Sequence, residues 1–361
     1  MWWVMRIEDV DKNFAFPSFK DYPITWYDAK EKPFKTYGIF YSKEEETYRR
    51  IPKVLADNVS EELSWLSKHT SGGRVRFKTN SPWIVIRVVE PYRESMSHMP
   101  VAGIFGFSLF VDKKFCGIYM PNSPQLENPQ NGKIVFDGMR TSKKEEVYEA
   151  ELFFPLYNGV DSLCIGIKEG SILEESSPYK YEDKPVLVYG ASITQGGCAS
   201  KPGDDYMGRL CQWLDTDIVN LGFSGNCARE PIMAEYLATL NPSIFIYGEG
   251  NNQWGYEQYE QTYYNVYETF RKAHKNTPFV FTQRAVHLNQ SDKRIHKIVK
   301  DAYEKALATG DKNVYYFEGD GAIGDIMVEN ATVDNTHLDS LGFYLTAKAL
   351  APLIKELLEK N

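Results

Sequence analysis

The first half of the chain alternates apolar and polar residues with the period of two that is typical of β-strands. Residues 73–80, GRVRFKTN, follow this alternation, and two further runs flank Asp112-Lys113-Lys114 in GIFGFSLFVDKKFCGIYM. Short strands at regular spacing, with few helical stretches between them, are typical of a β-sandwich. We therefore predict an all-β, jelly-roll-like domain over residues 1–177.

Two local features of this half carry predictions of their own. A short helix is predicted in SEELSWLSKH, which interrupts the strand pattern. Farther on, two strands are predicted around Tyr157-Asn158-Gly159. The Asn-Gly pair favours a tight turn with positive φ at this point.

A polar stretch with two prolines, residues 174–185, predicts a linker, and the pattern changes after it. From there on, continuous apolar runs such as VLVY and SIFIYG alternate with amphipathic stretches of helical period. This alternation is typical of a parallel sheet covered by helices on both faces. We predict an α/β domain of this kind over residues 178–361.

One of the predicted helices is rich in tyrosine. Its aromatic residues recur at steps of three and four, as Tyr259, Tyr263, Tyr267 and Phe270. A stripe with this spacing is typical of a helix face that packs against a core. Stacking of these rings on a sugar is the alternative interpretation.

Composition narrows the possible partners. The chain has 361 residues, 43% of them hydrophobic and 25% charged, and a net charge of −8. This charge argues against binding to nucleic acid or to an anionic membrane, and no apolar run reaches the ~18 residues that span a bilayer. The five cysteines show no CxxC spacing and indicate free thiols.

The N-terminal stretch MWWVMRIEDV turns acidic at once, unlike a signal peptide. The expected localisation is cytoplasmic if the chain is complete, and periplasmic or secreted if a leader was removed. The localisation therefore stays open, and the sequence does not indicate an oligomeric state either.

Candidate chemistry lies where the predicted parallel strands end, which is where open α/β sheets bind ligands. The first strand ends in Gly190-Ala191-Ser192, and Asp334 and His337 stand just before the last helix. A serine hydroxyl needs a base to act as a nucleophile, and an imidazole base needs a carboxylate to orient it. We predict Ser192 as nucleophile, His337 as base and Asp334 as the orienting group.

Each of these residues also has a simpler interpretation. Ser192 alone could cap a helix, and His337 alone could be an ordinary surface histidine. The other five histidines stand in no comparable setting, and none forms an HExxH pair. No metal and no cofactor are expected, since GxGxxG and Walker sequences are also absent.

The oxyanion formed in acyl transfer needs hydrogen-bond donors that are already in place. The Ser192 and Gly225 backbone N–H groups and the Asn252 side-chain amide are the predicted donors. Asn251 is adjacent to Asn252 and remains an alternative to it.

Four segments resemble the sequence blocks of the SGNH (GDSL-type) hydrolases: YGASITQGG, NLGFSGN, GEGNN and DNTH. Ala191 replaces the usual Asp of the first block, and Gln253 the usual Asp of the third. LFFPLYNGVDSLCIGI resembles the end of the β-rich N-terminal domain of one subgroup. The resemblance implies a three-layer α/β/α fold, a Ser-His-Asp triad and no metal.

Taken together, these features predict a serine esterase that removes short acyl groups, especially acetyl, from a carbohydrate or related small molecule. The expected partner is thus a small-molecule or carbohydrate ester. An acyltransferase with the same triad and a non-catalytic carbohydrate-binding protein with a decayed site are the alternatives.

Overall fold

The computed structural model describes residues 10–11, 18–91, 96–142, 144, 146–227, 230–248, 250, 255–285, 290–319, 321–324, 326 and 328–360. Strands dominate up to residue 174, and strands alternate with helices from residue 181 onward. Among the described residues, no helix combines the length and the apolar character needed to cross a membrane.

The strands, numbered along the chain, are β1 (Ile24–Asp28), β2 (Lys35–Tyr37), β3 (Phe40–Ser42), β4 (Thr47–Arg49), β5 (Arg74–Thr79), β6 (Trp83–Pro91), β7 (Phe107–Val111), β8 (Lys114–Tyr119), β9 (Lys133–Thr141), β10 (Tyr148–Phe153), β11 (Ser162–Lys168), β12 (Leu173–Glu174), β13 (Tyr181–Gly190), β14 (Thr216–Gly222), β15 (Ile244–Gly248), β16 (Phe279–Thr282) and β17 (Val314–Phe317).

The helices are α1 (Lys53–Val59), α2 (Glu61–Leu66), α3 (Val101–Ile104), α4 (Ser123–Glu127), α5 (Ser192–Gln195), α6 (Tyr206–Leu214), α7 (Pro231–Thr239), α8 (Tyr256–Ala273), α9 (Gln290–Ala308) and α10 (Ser340–Lys360). A short 3₁₀ helix spans Val328–Asn330.

The N-terminal half contains two main antiparallel sheets. One has the strand order β1-β11-β6-β9, and the other has the order β12-β5-β10-β7-β8 with β2 also paired to β5. Val75 and Phe77 from the second sheet share one apolar core with Ile86 and Val88 from the first. This arrangement confirms the predicted β-rich half, because the alternating apolar residues of both sheets face a common interior.

The turn predicted at Tyr157-Asn158-Gly159 differs from the observed structure. Neither Asn158 nor Gly159 has positive φ, and the strands on either side, β10 and β11, belong to different sheets. Asn158 is buried and donates its amide to the Glu90 carboxylate over 3.1 Å. The segment therefore crosses between sheets and is fixed by this buried contact, which the local sequence does not reveal.

The C-terminal half is built on a parallel sheet of order β14-β13-β15-β16-β17. Val186 and Val188 of β13 join the core that contains α6 and α10, whereas Leu187 and Tyr189 join the core that contains α7, α8 and α9. Successive strand residues point to opposite faces, so helices cover the sheet on both sides. The predicted three-layer α/β/α fold is confirmed.

The polar stretch 174–185 is only partly a linker. Strand β13 begins at Tyr181 and pairs with Thr216 of β14 before its apolar run starts. The division of the chain after residue 177 falls between β12 and β13 and remains a proposal.

Helix α8 carries the tyrosine stripe, which faces the core as predicted. Tyr259, Tyr263, Tyr267 and Phe270 are all buried. Tyr263 stacks on Tyr247 of the central strand β15 with ring centroids 4.4 Å apart. Rings that are buried in this way have no face left for a sugar.

Two buried arginines join the N-terminal half to strand β14. Arg50 donates hydrogen bonds to the backbone carbonyl oxygen of Gly222 and to that of Leu66, the second over 2.9 Å. Arg74 donates to the Ile218 carbonyl oxygen over 3.0 Å and forms an ion pair with Asp217. Edge strand β14 is therefore held by charged hydrogen bonds from outside the parallel sheet.

Replacing Arg74 with Met should lower the free energy of unfolding by about 3–5 kcal/mol, because Asp217 loses its buried partner. Chemical denaturation measures this change. The control is Arg87→Met, since Arg87 is exposed on β6 and lies over the Trp26 ring. This control substitution should lower the free energy of unfolding by less than about 1 kcal/mol. Equal losses in the two variants would contradict the structural role assigned to Arg74.

Candidate active site

Ser192, His337 and Asp334 form a continuous hydrogen-bonded series at the carboxyl end of β13. The Ser192 Oγ lies 2.9 Å from His337 Nε2, and His337 Nδ1 lies 2.8 Å from Asp334 Oδ2. Ser192 makes no capping bond; the residue at the cap position of α5 is Ala191. The three side chains thus have the order that a nucleophile, its base and an orienting carboxylate require.

The position of Asp334 follows from a tight turn. Asn335 has a positive φ of 63°, and a β-bridge between Thr332 and Leu338 closes the loop. The second carboxylate oxygen, Oδ1, accepts the backbone N–H groups of Thr336 at 3.0 Å and His337 at 2.7 Å. Burial opposes ionisation of Asp334, but the hydrogen bonds from His337 and Thr336 outweigh it and lower its pKa.

Ser192 also lines a cavity of about 420 Å³ together with His337 and Gly225. Buried apolar side chains, among them Leu338 and Leu350, form part of its wall. The cavity therefore gives the Ser192 hydroxyl a partly apolar space in which an acyl group fits.

The structure describes two of the three predicted oxyanion donors. Gly225 has a positive φ of 68° in the loop after β14, and Ser192 opens α5 beside the same cavity. Asn252, as well as the alternative Asn251, lies outside the described residues. The complete set of three donors remains a prediction.

The loop 223–226 is held by Gln195, a residue that the sequence analysis did not assign. Its Oε1 accepts the Ser224 backbone N–H over 2.9 Å, and its Nε2 donates to the Leu156 carbonyl oxygen over 3.1 Å. The same Nε2 lies 3.0 Å from His69 Nδ1. Gln195 is fully buried, and a buried amide needs several partners, but the sequence alone gives no signal of this burial.

The glycines beside the motif are explained by close packing. A Cβ on Gly222 would lie 2.3 Å from the Gln195 backbone nitrogen, and one on Gly190 would lie 2.1 Å from Thr194 Oγ1. Small residues at these strand ends therefore let the turn of α5 lie directly against the sheet, which places Ser192 at its edge.

His98 of the N-terminal half also reaches the site, although its sequence setting predicts no role. Its Nε2 lies 3.9 Å from Asp334 Oδ2, and its ring lies 5.7 Å from that of His337. No local pattern could indicate this contact, because more than two hundred residues separate His98 from Asp334 in the sequence.

His98, Cys198 and His337 could offer a metal ion three ligand atoms within 4.8 Å of one another. Imidazole and thiolate are ligands that zinc prefers. However, burial, together with the charge of Asp334, raises the pKa of the Cys198 thiol to about 12, which disfavours the thiolate. His337 is also already engaged by Ser192 and Asp334.

Two family models match the chain. Residues 183–355 match the GDSL-like lipase/acylhydrolase family, and residues 24–173 match the N-terminus of esterases of the SGNH-hydrolase type. The chain therefore contains a GDSL-like lipase/acylhydrolase domain. The protein is accordingly a carboxylic ester hydrolase, as its resemblance to the SGNH hydrolases implies. No curated protein sequence matches it.

Solved structures share the fold of this GDSL-type chain over both halves. A protein described as a GDSL-like lipase from Bacteroides ovatus is 24% identical with a TM-score of 0.81, covering 93% of this chain and 98% of that one. The salicylyl-acyltransferase SsfX3 from a tetracycline biosynthetic pathway is 16% identical with a TM-score of 0.73, and the match covers 92% of this chain and 97% of that one. An acetyl xylan esterase from Butyrivibrio proteoclasticus is 12% identical with a TM-score of 0.59, and the match covers 93% of this chain and 99% of that one.

Gln195→Met should lower kcat for p-nitrophenyl acetate by about 10- to 100-fold, because a displaced loop 223–226 misplaces the Gly225 N–H. KM should change little, and steady-state kinetics separate the two constants. The control is Gln258→Met, which alters an exposed glutamine on α8. A normal kcat in a folded Gln195→Met variant would contradict the positioning role.

Chelation tests the expectation that no metal is needed. Every step assigned to Ser192, His337 and Asp334 proceeds without a cation, so dialysis against EDTA should leave kcat/KM for p-nitrophenyl acetate unchanged. A loss of activity that added Zn²⁺ restores would contradict this expectation and would make His98, Cys198 and His337 the first ligands to test by mutation.

Proposed function

We propose that the protein is a serine esterase that removes short acyl groups, especially acetyl, from a carbohydrate or related small molecule. The observation that carries this proposal is the hydrogen-bonded series from Ser192 through His337 to Asp334 beside a partly apolar cavity. The GDSL-like lipase/acylhydrolase domain supports the reaction class.

In the proposed mechanism, the Ser192 Oγ attacks the ester carbonyl carbon while His337 Nε2 takes its proton. Asp334 keeps Nδ1 protonated and stabilises the imidazolium that forms. The backbone N–H groups of Ser192 and Gly225, with the Asn252 amide, donate to the oxyanion. His337 then protonates the leaving alcohol.

The second half of the cycle frees the enzyme. A water molecule gives a proton to His337 and attacks the acyl group on Ser192. The tetrahedral intermediate collapses, the acid leaves, and the proton returns from His337 to the Ser192 oxygen. The proton that His337 gives to the leaving alcohol is replaced by the one that it takes from water, so the complete cycle restores the Ser192–His337 pair and needs no cofactor.

The proposed substrate class has two supports. The acetyl xylan esterase from Butyrivibrio proteoclasticus shares the fold of both halves. In addition, the cavity at Ser192 combines apolar side chains with the hydroxyl groups of Thr194 and Tyr206. Such a lining fits a small acyl group attached to a polar alcohol.

An acyltransferase is the second candidate. The acyl-enzyme on Ser192 could react with an alcohol instead of water, and the salicylyl-acyltransferase SsfX3 shares this fold. Product analysis with and without an added alcohol acceptor distinguishes the two. A binding protein with a decayed site is disfavoured, because Ser192, His337 and Asp334 keep hydrogen-bonding distances.

The test is hydrolysis of p-nitrophenyl acetate, butyrate and octanoate by the wild type, Ser192→Ala and the control Ser123→Ala. Ser123 is an exposed serine at the start of α4. We expect a preference for acetate, a loss of at least about 10⁴-fold in kcat for Ser192→Ala, and normal activity for the control.

A serine-directed fluorophosphonate separates the alternatives. Labelling at Ser192 with turnover only when an alcohol is added would identify a transferase. Folded wild type that neither labels nor hydrolyses any of the esters would point to a decayed site. Full activity of Ser192→Ala would overturn the proposed nucleophile, and a preference for octanoate would overturn the short acyl group.

A further inference from the structure

A groove of about 490 Å³ lies next to the catalytic cavity and takes residues from both halves of the chain. We refer to it as the Trp65 groove. The lining residues that matter here are Glu61, Glu62, Trp65, Tyr157, Ser224 and Asn226. Helix α2 provides the first three, so the N-terminal half forms one wall of the groove.

The groove borders the catalytic cavity. Ser224 lines both spaces. The Tyr157 hydroxyl donates to the Ser192 carbonyl oxygen over 3.2 Å and also hydrogen-bonds the Ser224 side chain. An ester whose carbonyl lies at the Ser192 Oγ therefore has room for its alcohol part along the Trp65 groove.

Trp65 is held in place although much of its surface is open. The residue is 45% exposed. Its ring centroid lies 4.3 Å from that of His69 in an edge-on contact, and His69 in turn bonds to Gln195. His69 and Gln195 thus link the indole to the loop 223–226.

The chemistry of the lining fits a pyranose ring. An indole face packs against the C–H groups of a sugar, and the exposed Glu61 and Glu62 carboxylates accept hydrogen bonds from hydroxyl groups. Asn226 adds a carboxamide. A quaternary ammonium group is less suitable, because its recognition uses a cage of several aromatic rings.

We propose that the Trp65 groove binds the alcohol part of the ester as a pyranose ring stacked on Trp65. This assignment rests on the proposed esterase function, because it places the acyl group at Ser192. It gives the N-terminal half a direct role in selecting the leaving group.

The experiment compares acetylated xylotriose with vinyl acetate, whose alcohol is too small to reach Trp65. Trp65→Ala should raise KM for acetylated xylotriose about tenfold or more, as loss of an aromatic stacking partner does elsewhere. KM for vinyl acetate should change far less, so the ratio of the two KM values reports the lost stacking. Trp65→Phe keeps an aromatic face and should restore most of the affinity, provided that thermal melts show both variants folded.

A second tryptophan supplies a matched control. Trp213 on α6 is 43% exposed and makes an edge-on contact with Tyr344, away from the groove. Trp213→Ala should behave like the wild type on both esters. If Trp65→Ala leaves KM for acetylated xylotriose unchanged while the wild type hydrolyses both esters, the subsite is overturned and the esterase function stands.

A binding measurement makes the two proposals separable. Acetylated xylotriose should quench the tryptophan fluorescence of Ser192→Ala but not that of Ser192→Ala/Trp65→Ala. Quenching that depends on Trp65 without any turnover by the wild type would keep the subsite and refute the esterase. Absence of quenching, or a Trp65-dependent KM for acetylcholine instead of the saccharide, would refute the pyranose subsite.

Discussion

The proposed active site depends on how closely the turn of α5 packs against the end of β14. Gly222 has no room for a side chain because the Gln195 backbone nitrogen lies where its Cβ would point. Asn220 fixes this approach, since its amide donates to the Thr194 carbonyl oxygen over 2.7 Å and its Oδ1 accepts the Gly222 N–H over 2.8 Å. The packing brings Ser192 and the loop carrying Gly225 to one cavity.

The N-terminal half supports this packing from outside the parallel sheet. The Ser71 hydroxyl donates to the Gln195 carbonyl oxygen over 2.6 Å, and Arg50 donates to the Gly222 carbonyl oxygen. Burial lowers the pKa of Arg50 to about 9, which still leaves it charged at neutral pH. The two elements that pack closely against each other, α5 and β14, are thus both held by side chains from the β-rich half.

Sequence patterns could predict what is set by local periodicity and by strand ends. Ser192 follows a buried strand, and Asp334 and His337 are three residues apart, so their proximity required only the α/β layout. The contact of Gln195 with His69 joins residues 126 positions apart, and no local pattern encodes it. Likewise, the crossing at Tyr157 is fixed by buried contacts, whereas its Asn-Gly pair suggests a turn.

These contacts indicate what each half of the chain contributes to the site. A catalytic half on its own would keep the serine, the histidine and the carboxylate, which all follow residue 178. It would lose the Tyr157 hydroxyl at the Ser192 carbonyl oxygen and the His69 partner of Gln195. Since leaving a buried amide without its partners costs free energy, the Gln195 contact that holds loop 223–226 would be weakened. The β-rich half therefore contributes contacts on which the geometry of the proposed active site depends.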